Sequence, residues 1–478
     1  MTRGEDGDAS TSMTRDEDDD SESSNERLGE RFTRALRLGS ARLKYHPAVR
    51  RLGRALAAST VEDMSSSSSA LVLLGVVYYN DDDDVGDKGC GADDAGKSSA
   101  WIEARAAFHA DFLSRLWMSY RRNFASCLRG TTWKSDAGWG CTIRSAQMML
   151  ANAFSVHTRG RDWRRELEIQ EPDAADDGER NVAGRGDGDV STTRRRKIAN
   201  LVDIFRRQGS EIIATKRGSD SQVDIVRWFA DDDASAPYGI HRVCETTTRW
   251  GMPAGRWFEP SVMCRAFEIL ISQHEKMRDE IIAHVVMPTT EGEDAGGVPR
   301  VRRRDLFAKS ADVGKALILF VPLVLGAGST INTRYLNQLR AMLAFPQSLG
   351  ILSGRPGSSL YVVGCASEDV FVHLDPHTVQ DSTNADVDSY YCPHVAYTRG
   401  DALDPTLALG FYCRNARELD SLLDACARLA REHATIPILD VDVEDDDRDV
   451  GVVSHAHSIS HDSHQAIVDD EFSDWEFI

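Results

Sequence analysis

The sequence predicts an α+β fold, with helices early, strands later and a disordered tail at each end. Three observations carry this. Apolar residues recur at helical spacing over 101–122 and 141–154. Short unbroken apolar runs stand at Leu317–Leu325, Leu360–Val363 and Val370–Leu374, as buried strands require. The two ends are acidic and too poor in apolar residues to build a core. Helical and strand segments do not alternate as βαβ units would.

The chain has 478 residues and a formal net charge of −20. Residues 1–26 carry −8 of it and residues 440–478 carry −12, so residues 27–439 are neutral. The acidity therefore belongs to the tails, and the body has no bulk positive field for nucleic acid. Nine cysteines, an odd number without paired spacing, read as the reduced thiols of a cytoplasmic protein. The N-terminus has no apolar signal core. The longest apolar runs fall short of the ~20 residues of a membrane helix.

In chain order, residues 1–64 are an acidic and then basic extension. Residues 27–58 hold nine Lys or Arg against one Glu, with Leu28, Phe32, Ala35 and Leu36 at helical spacing. Two readings stay open there: a solvated helix, or one that touches an anionic membrane transiently. Residues 70–435 form the core domain, interrupted by polar insertions at 81–98, 165–197 and 287–304. Within it Ala70–Tyr79 reads as one buried strand, and 101–122 as an amphipathic helix with Phe108, Phe112 and Leu116 at spacings of four. Further helices are expected at 141–154, 199–207, 261–283 and 332–344. Residues 436–478 read as an acidic tail.

Two constellations carry chemistry. Cys141 follows Gly138-Trp-Gly140 and opens a segment with Ala146, Met149, Leu150 and Ala153 on one face. A sulfur in the first turn of a buried helix sits where the helix dipole favours thiolate, the nucleophile of a cysteine hydrolase. The alternative is a small buried hydrophobe. Asp375-Pro-His377 ends the strand Val370–Leu374. Residues two apart on an extended chain face the same side, so the carboxylate can orient the imidazole as general base. The alternative is a polar turn.

A third motif competes. Gly91-Ala-Asp-Asp-Ala-Gly-Lys97-Ser98 matches the phosphate-loop pattern, with a strand before it and a helix after it. About ten residues separate it from the strand, and Asp93 and Asp94 stand where amides must face phosphate. It reads as a chance match, with a nucleotide-binding protein as the alternative function.

Several segments together resemble one known family. They are Ser114-Arg-Leu-Trp-Met-Ser-Tyr-Arg-Arg-Asn-Phe124, Ser135-Asp-Ala-Gly-Trp-Gly-Cys141, Phe345-Pro-Gln-Ser-Leu-Gly350 and Leu374-Asp-Pro-His-Thr378 with Gln380. Pro237–His241, Trp257–Pro260, Val321–Gly326 and Gly410–Cys413 extend the likeness. In order and spacing these are similar to the autophagins, the autophagy cysteine proteases. The resemblance implies a papain-like fold with a small accessory subdomain, Cys141 as nucleophile, His377 as base and Asp375 as its orienting partner. It implies that Tyr120 helps stabilise the oxyanion and that Trp257 covers a channel for the substrate glycine. The implied substrate is a ubiquitin-like autophagy modifier, cut after its C-terminal glycine. That one cut both matures the precursor and releases the modifier from phosphatidylethanolamine. The chain departs from the family at Ala125–Lys134, where a Pro/Gly-rich stretch is usual, and at Phe258-Glu-Pro260. No cofactor is expected.

The final residues Asp474-Trp-Glu-Phe-Ile478 resemble the short motif that docks onto the same modifier. It would add an edge strand whose Trp475 and Ile478 fill two pockets. Such a motif also allows a catalytically silent adaptor as a second alternative. His455, His457, His461 and His464 read as a solvated tract rather than a metal site.

Overall fold

The computed structural model describes residues 70–79, 94–165, 225–231, 234–286, 298–383 and 386–442. In order these form β1 (Ala70–Leu73), β2 (Val76–Tyr79), α1 (Asp94–Phe112), β3 (Tyr120–Arg122), α2 (Cys141–Arg159), α3 (Ile240–Thr248), α4 (Pro260–Gln273) and β4 (Ile281–Val285). There follow β5 (Arg300–Arg302), α5 (Arg303–Lys309), β6 (Ala316–Val324), α6 (Leu336–Ala344), β7 (Ser348–Arg355), β8 (Ser358–Cys365) and β9 (Val370–Leu374). The last are β10 (Val379–Asp381), β11 (Ala396–Arg399), β12 (Thr406–Cys413), α7 (Ala416–Glu432) and β13 (Asp440–Asp442).

One mixed sheet dominates, in the order β11-β9-β8-β7-β12-β6-β4, with the β1–β2 hairpin attached through β8. Every pair in it is antiparallel except β4 with β6. Alternate residues of β6 serve two cores, as a strand covered on both faces must. Ile318 and Phe320 join the core with α1, α2, α3 and α4, while Leu317, Leu319 and Val321 join the core with α6 and α7. Helix α2 lies over β7 and β8, with every residue from Cys141 to Ser155 buried. Phe154 anchors its C-terminal half in an aromatic cluster with Trp228, Phe229 and Tyr238.

The structure corrects several expectations. Ala70–Tyr79 is a hairpin, because Leu74 and Gly75 both adopt positive φ (45° and 84°), the two-residue turn whose twist suits a hairpin. The helix expected over 101–122 ends at Phe112. Phe108, Phe112 and Leu116 are all buried, but Leu116 lies in a β-bridge to Tyr391. The helix expected to reach residue 283 ends at Gln273, and Ile281–Val285 is a strand beside β6. Residues read as polar insertion or acidic tail pair instead, β5 running parallel to β13. Ile438, Leu439 and Val441 are buried there. The expected helix at 199–207 lies outside the described residues.

The phosphate-loop pattern meets an unsuitable frame. The strand before it, β2, is the outer strand of an antiparallel hairpin. A phosphate loop needs a strand that runs directly into the loop. Asp94 and Ala95, which would have to lie in the phosphate-cradling loop, are already within α1. Among the described residues no helix is long and apolar enough to cross a membrane.

Candidate active site

Strand β3 is only three residues long, yet it joins the two segments that carry the expected catalytic residues. On one side it pairs parallel with β10, just after His377, and the Tyr120 N–H donates to the Pro376 carbonyl at 2.9 Å. On the other side Arg122 bridges to Ser135, and the Arg121 carbonyl accepts from the Ser135 hydroxyl at 2.9 Å. Ser135 stands six residues before Cys141. The chain reverses between them through Asp136, whose carbonyl accepts the Gly140 N–H at 2.9 Å.

Cys141 is the first residue of α2 and is 3 % exposed. Burial pushes its thiol pKa up, but the net shift is downward. The hydrogen bond and positive charge of His377 outweigh burial, helped by the Ser359 backbone N–H and the Tyr120 side chain. The helix N-terminus acts in the same sense.

His377 follows β9 on the Asp375-Pro376 corner. Its Nδ1 lies 2.6 Å from Asp375 Oδ1, and that oxygen also accepts the His377 backbone N–H at 2.9 Å. Burial lowers the imidazole pKa, but the bonds to Asp375 and Cys141 overturn this and raise it to about 9. Burial raises the Asp375 carboxyl, and His377 reverses that to hold it well below the usual carboxylate range. The three groups therefore favour a thiolate, an imidazolium and a carboxylate. The Asp375 carbonyl accepts the Trp117 indole N–H at 2.8 Å, which fixes the corner from behind.

Tyr120 is 2 % exposed and meets the His377 ring edge to face, with centroids 5.4 Å apart. With His377, it lies within hydrogen-bonding reach of the sulfur. The tyrosine hydroxyl and the Cys141 N–H are suited to an anionic oxygen beside that sulfur.

Trp257 is 39 % exposed and lines a cleft of about 320 Å³ with Gly328, Ser329, Pro356, Gly357 and Asp404. Pro356-Gly357 is the two-residue turn between β7 and β8. The next residue, Ser358, has its hydroxyl 3.1 Å from His377 Nε2. The lining of the cleft thus includes the residue that precedes Ser358 in the chain.

The structure brings Cys141, Asp375, His377 and Tyr120 together and places Trp257 in a cleft whose lining includes none of the four. Trp475, Ile478, residues 27–58 and the histidine tract lie outside the described residues. Sequence reading missed Ser358, whose position depends on a hairpin that shows no alternation. It also missed Asp136, five residues before Cys141. A carboxylate so close to a candidate nucleophile was a usable signal.

Comparison with known proteins shows the family of the chain. The model of the Peptidase C54 catalytic domain matches residues 105–425. The chain is 31 % identical to cysteine protease ATG4a of Arabidopsis thaliana, over 77 % of this chain and 69 % of that protein. It is 32 % identical to cysteine protease ATG4B of Oryza sativa subsp. japonica, over 68 % and 60 %. It is 27 % identical to cysteine protease ATG4C of Xenopus tropicalis, over 68 % and 71 %. The chain therefore spans about two thirds of the length of these relatives. A mixed sheet with a buried cysteine at the start of its central helix, an Asp–His corner against the sulfur and a family match over most of the chain lead to one assignment: this chain belongs to the peptidase C54 family, papain-like cysteine proteases.

Proposed function

We propose that this protein is a cytoplasmic cysteine endopeptidase that cuts after the C-terminal glycine of a ubiquitin-like autophagy modifier. Cys141 is the nucleophile, His377 the general base and acid, and Asp375 the residue that orients the imidazole. The sulfur attacks the glycine carbonyl. Tyr120 and the Cys141 N–H receive the developing oxyanion. His377 protonates the leaving amine, and water then hydrolyses the thioester.

The observation that carries this reading is the joint placement of Cys141 and His377. The imidazole lies within hydrogen-bonding reach of the sulfur while its Nδ1 is held 2.6 Å from Asp375. Precursor maturation and release from phosphatidylethanolamine are one reaction for such a site. In both, the scissile bond is an amide of the same glycine carboxyl, and only the leaving amine differs. Trp257 and the Pro356-Gly357 turn would wall the path of the substrate glycine. Trp475 and Ile478 would serve as a second contact with the modifier.

Incubation of a purified modifier precursor with the wild-type chain and with Cys141→Ala tests the reading. Cleavage after glycine by the first and none by the second is expected. Equal cleavage by both, or cleavage elsewhere, overturns it.

A further inference from the structure

Behind the site lies a buried charge cluster for which the proposed reaction gives no role. Asp136 is fully buried and divides its carboxylate between two elements. Oδ1 accepts the Arg121 backbone N–H at 2.6 Å, and Oδ2 accepts Arg144 Nε at 2.6 Å. Arg121 adjoins Tyr120 in β3. Arg144 is one turn beyond Cys141 in α2, and its N–H donates to the Gly140 carbonyl at 3.0 Å. Nη1 of the same guanidinium reaches both oxygens of buried Asp231, at 3.0 and 2.8 Å. The fit around Asp136 is close, since a Cβ on Gly140 would stand 2.7 Å from its Cβ and Oδ2.

Helix α2 has no side-chain cap; Gly140 is its N-cap. The corner that presents the sulfur is therefore not fixed by the usual Ser, Thr or Asp. Asp136 supplies the missing constraint from four residues upstream. Its carbonyl takes the N–H groups of Trp139 and Gly140, while its carboxylate spans from β3 to the first turn of α2. A single side chain thereby ties the strand that carries Tyr120 to the helical turn that follows Cys141.

We infer that Asp136 is a positioning residue for catalysis, locking the Cys141 corner to the Tyr120 strand through Arg144, whereas Asp231 only neutralises the outer side of that arginine. This rests on the catalytic reading of Cys141 given above, but the arrangement also makes a statement about thiol reactivity that needs no substrate.

In Asp136→Asn, one face of the amide can still accept the Arg121 N–H. Its other face then presents N–H groups to Arg144 Nε, donor against donor. Losing a carboxylate's charge would by itself ease ionisation of a nearby thiol. A rise in the Cys141 midpoint therefore reports lost alignment with His377 and Tyr120, not lost charge.

The test measures the rate of iodoacetamide alkylation at Cys141 against pH in the full chain. Peptide mass spectrometry separates Cys141 from exposed Cys127. For Asp136→Asn the midpoint is expected to rise by about one pH unit. On a modifier precursor kcat is expected to fall by about 10²-fold, with KM within about two-fold. Asp231→Asn is expected to lower the melting temperature and leave the alkylation midpoint in place. If Asp136→Asn does not fold, Arg144→Lys takes its place, because one ammonium cannot hold both carboxylates as the guanidinium fork does. An unmoved midpoint in the Asp136 or Arg144 variant, or an equal rise in Asp231→Asn, overturns the inference. If wild type cuts no precursor but the midpoints shift as stated, the substrate assignment fails and the positioning role stands.

Discussion

Asp375 Oδ1 holds His377 twice, through the ring at 2.6 Å and through the backbone N–H at 2.9 Å. The corner Asp375-Pro376-His377 is thus closed on itself by one oxygen. Proline at the middle removes a donor and fixes φ, so the imidazole has little freedom to turn away. The carboxylate sets the tautomer that leaves Nε2 facing Ser358 and the sulfur side.

Asp375→Asn removes the charge that raises the His377 pKa and offers a donor where the ring needs an acceptor. We expect kcat to drop by about 10³-fold or more, with a smaller effect on KM. The alkaline limb of kcat/KM, which follows loss of the imidazolium proton near pH 9 in wild type, should move down toward the ordinary histidine value. The signs are consistent: a group whose pKa is raised keeps its proton up to the raised value and loses it above. Stopped-time cleavage assays across pH 5 to 10 decide this, and an alkaline limb unmoved by the substitution would refute it.

Tyr120→Phe keeps the ring against His377 and removes only the hydroxyl. With a preorganised donor lost from the oxyanion position, kcat should fall by about 10²-fold. The melting temperature should stay within about 2 °C, since no apolar area is lost. Steady-state kinetics beside thermal melts separate this from a folding defect.

Trp257→Ala opens the cleft at the Pro356-Gly357 turn. Because Trp257 is partly exposed, the stability cost should be small, about 1 kcal/mol or less. The discriminating measurement compares precursors ending in glycine and in alanine at the cut. The preference for glycine should narrow by about ten-fold, worth about 1.4 kcal/mol of discrimination. An unchanged ratio would remove Trp257 from the channel wall.

Phe154→Ala probes the foundation rather than the site. The ring is fully buried among Trp228, Phe229 and Tyr238 on the helix that presents Cys141. Truncation should cost about 3–5 kcal/mol through lost burial and a residual cavity. Denaturant titration followed by tryptophan fluorescence checks it, with residual activity per folded molecule near wild type.

The sequence by itself determined what is local. The apolar run after Cys141 marked a buried helix with the sulfur at its start, because periodicity is written into neighbouring residues. The unbroken runs at β6 and β9 marked strands for the same reason, and β9 has the predicted bounds. Local signals also misled where burial continues after regular structure stops. Leu116 is apolar because it packs against the core and bridges to Tyr391, not because a helix carries it there. Leu74-Gly75 turns within an apolar run, since both arms of the hairpin pack on the body.

Only the tertiary structure decided the rest. Cys141 and His377 are far apart along the chain, and β3 holds their segments together through backbone pairing, in which side-chain identity plays little part. The same holds for Ser358 on the imidazole and for Asp136, Arg144 and Asp231 in one buried cluster. Each is an ordinary polar residue type, and only the nearness of Asp136 to Cys141 in the chain set one of them apart. The role of each exists only because folding removes water from around it and leaves its protein partners within reach.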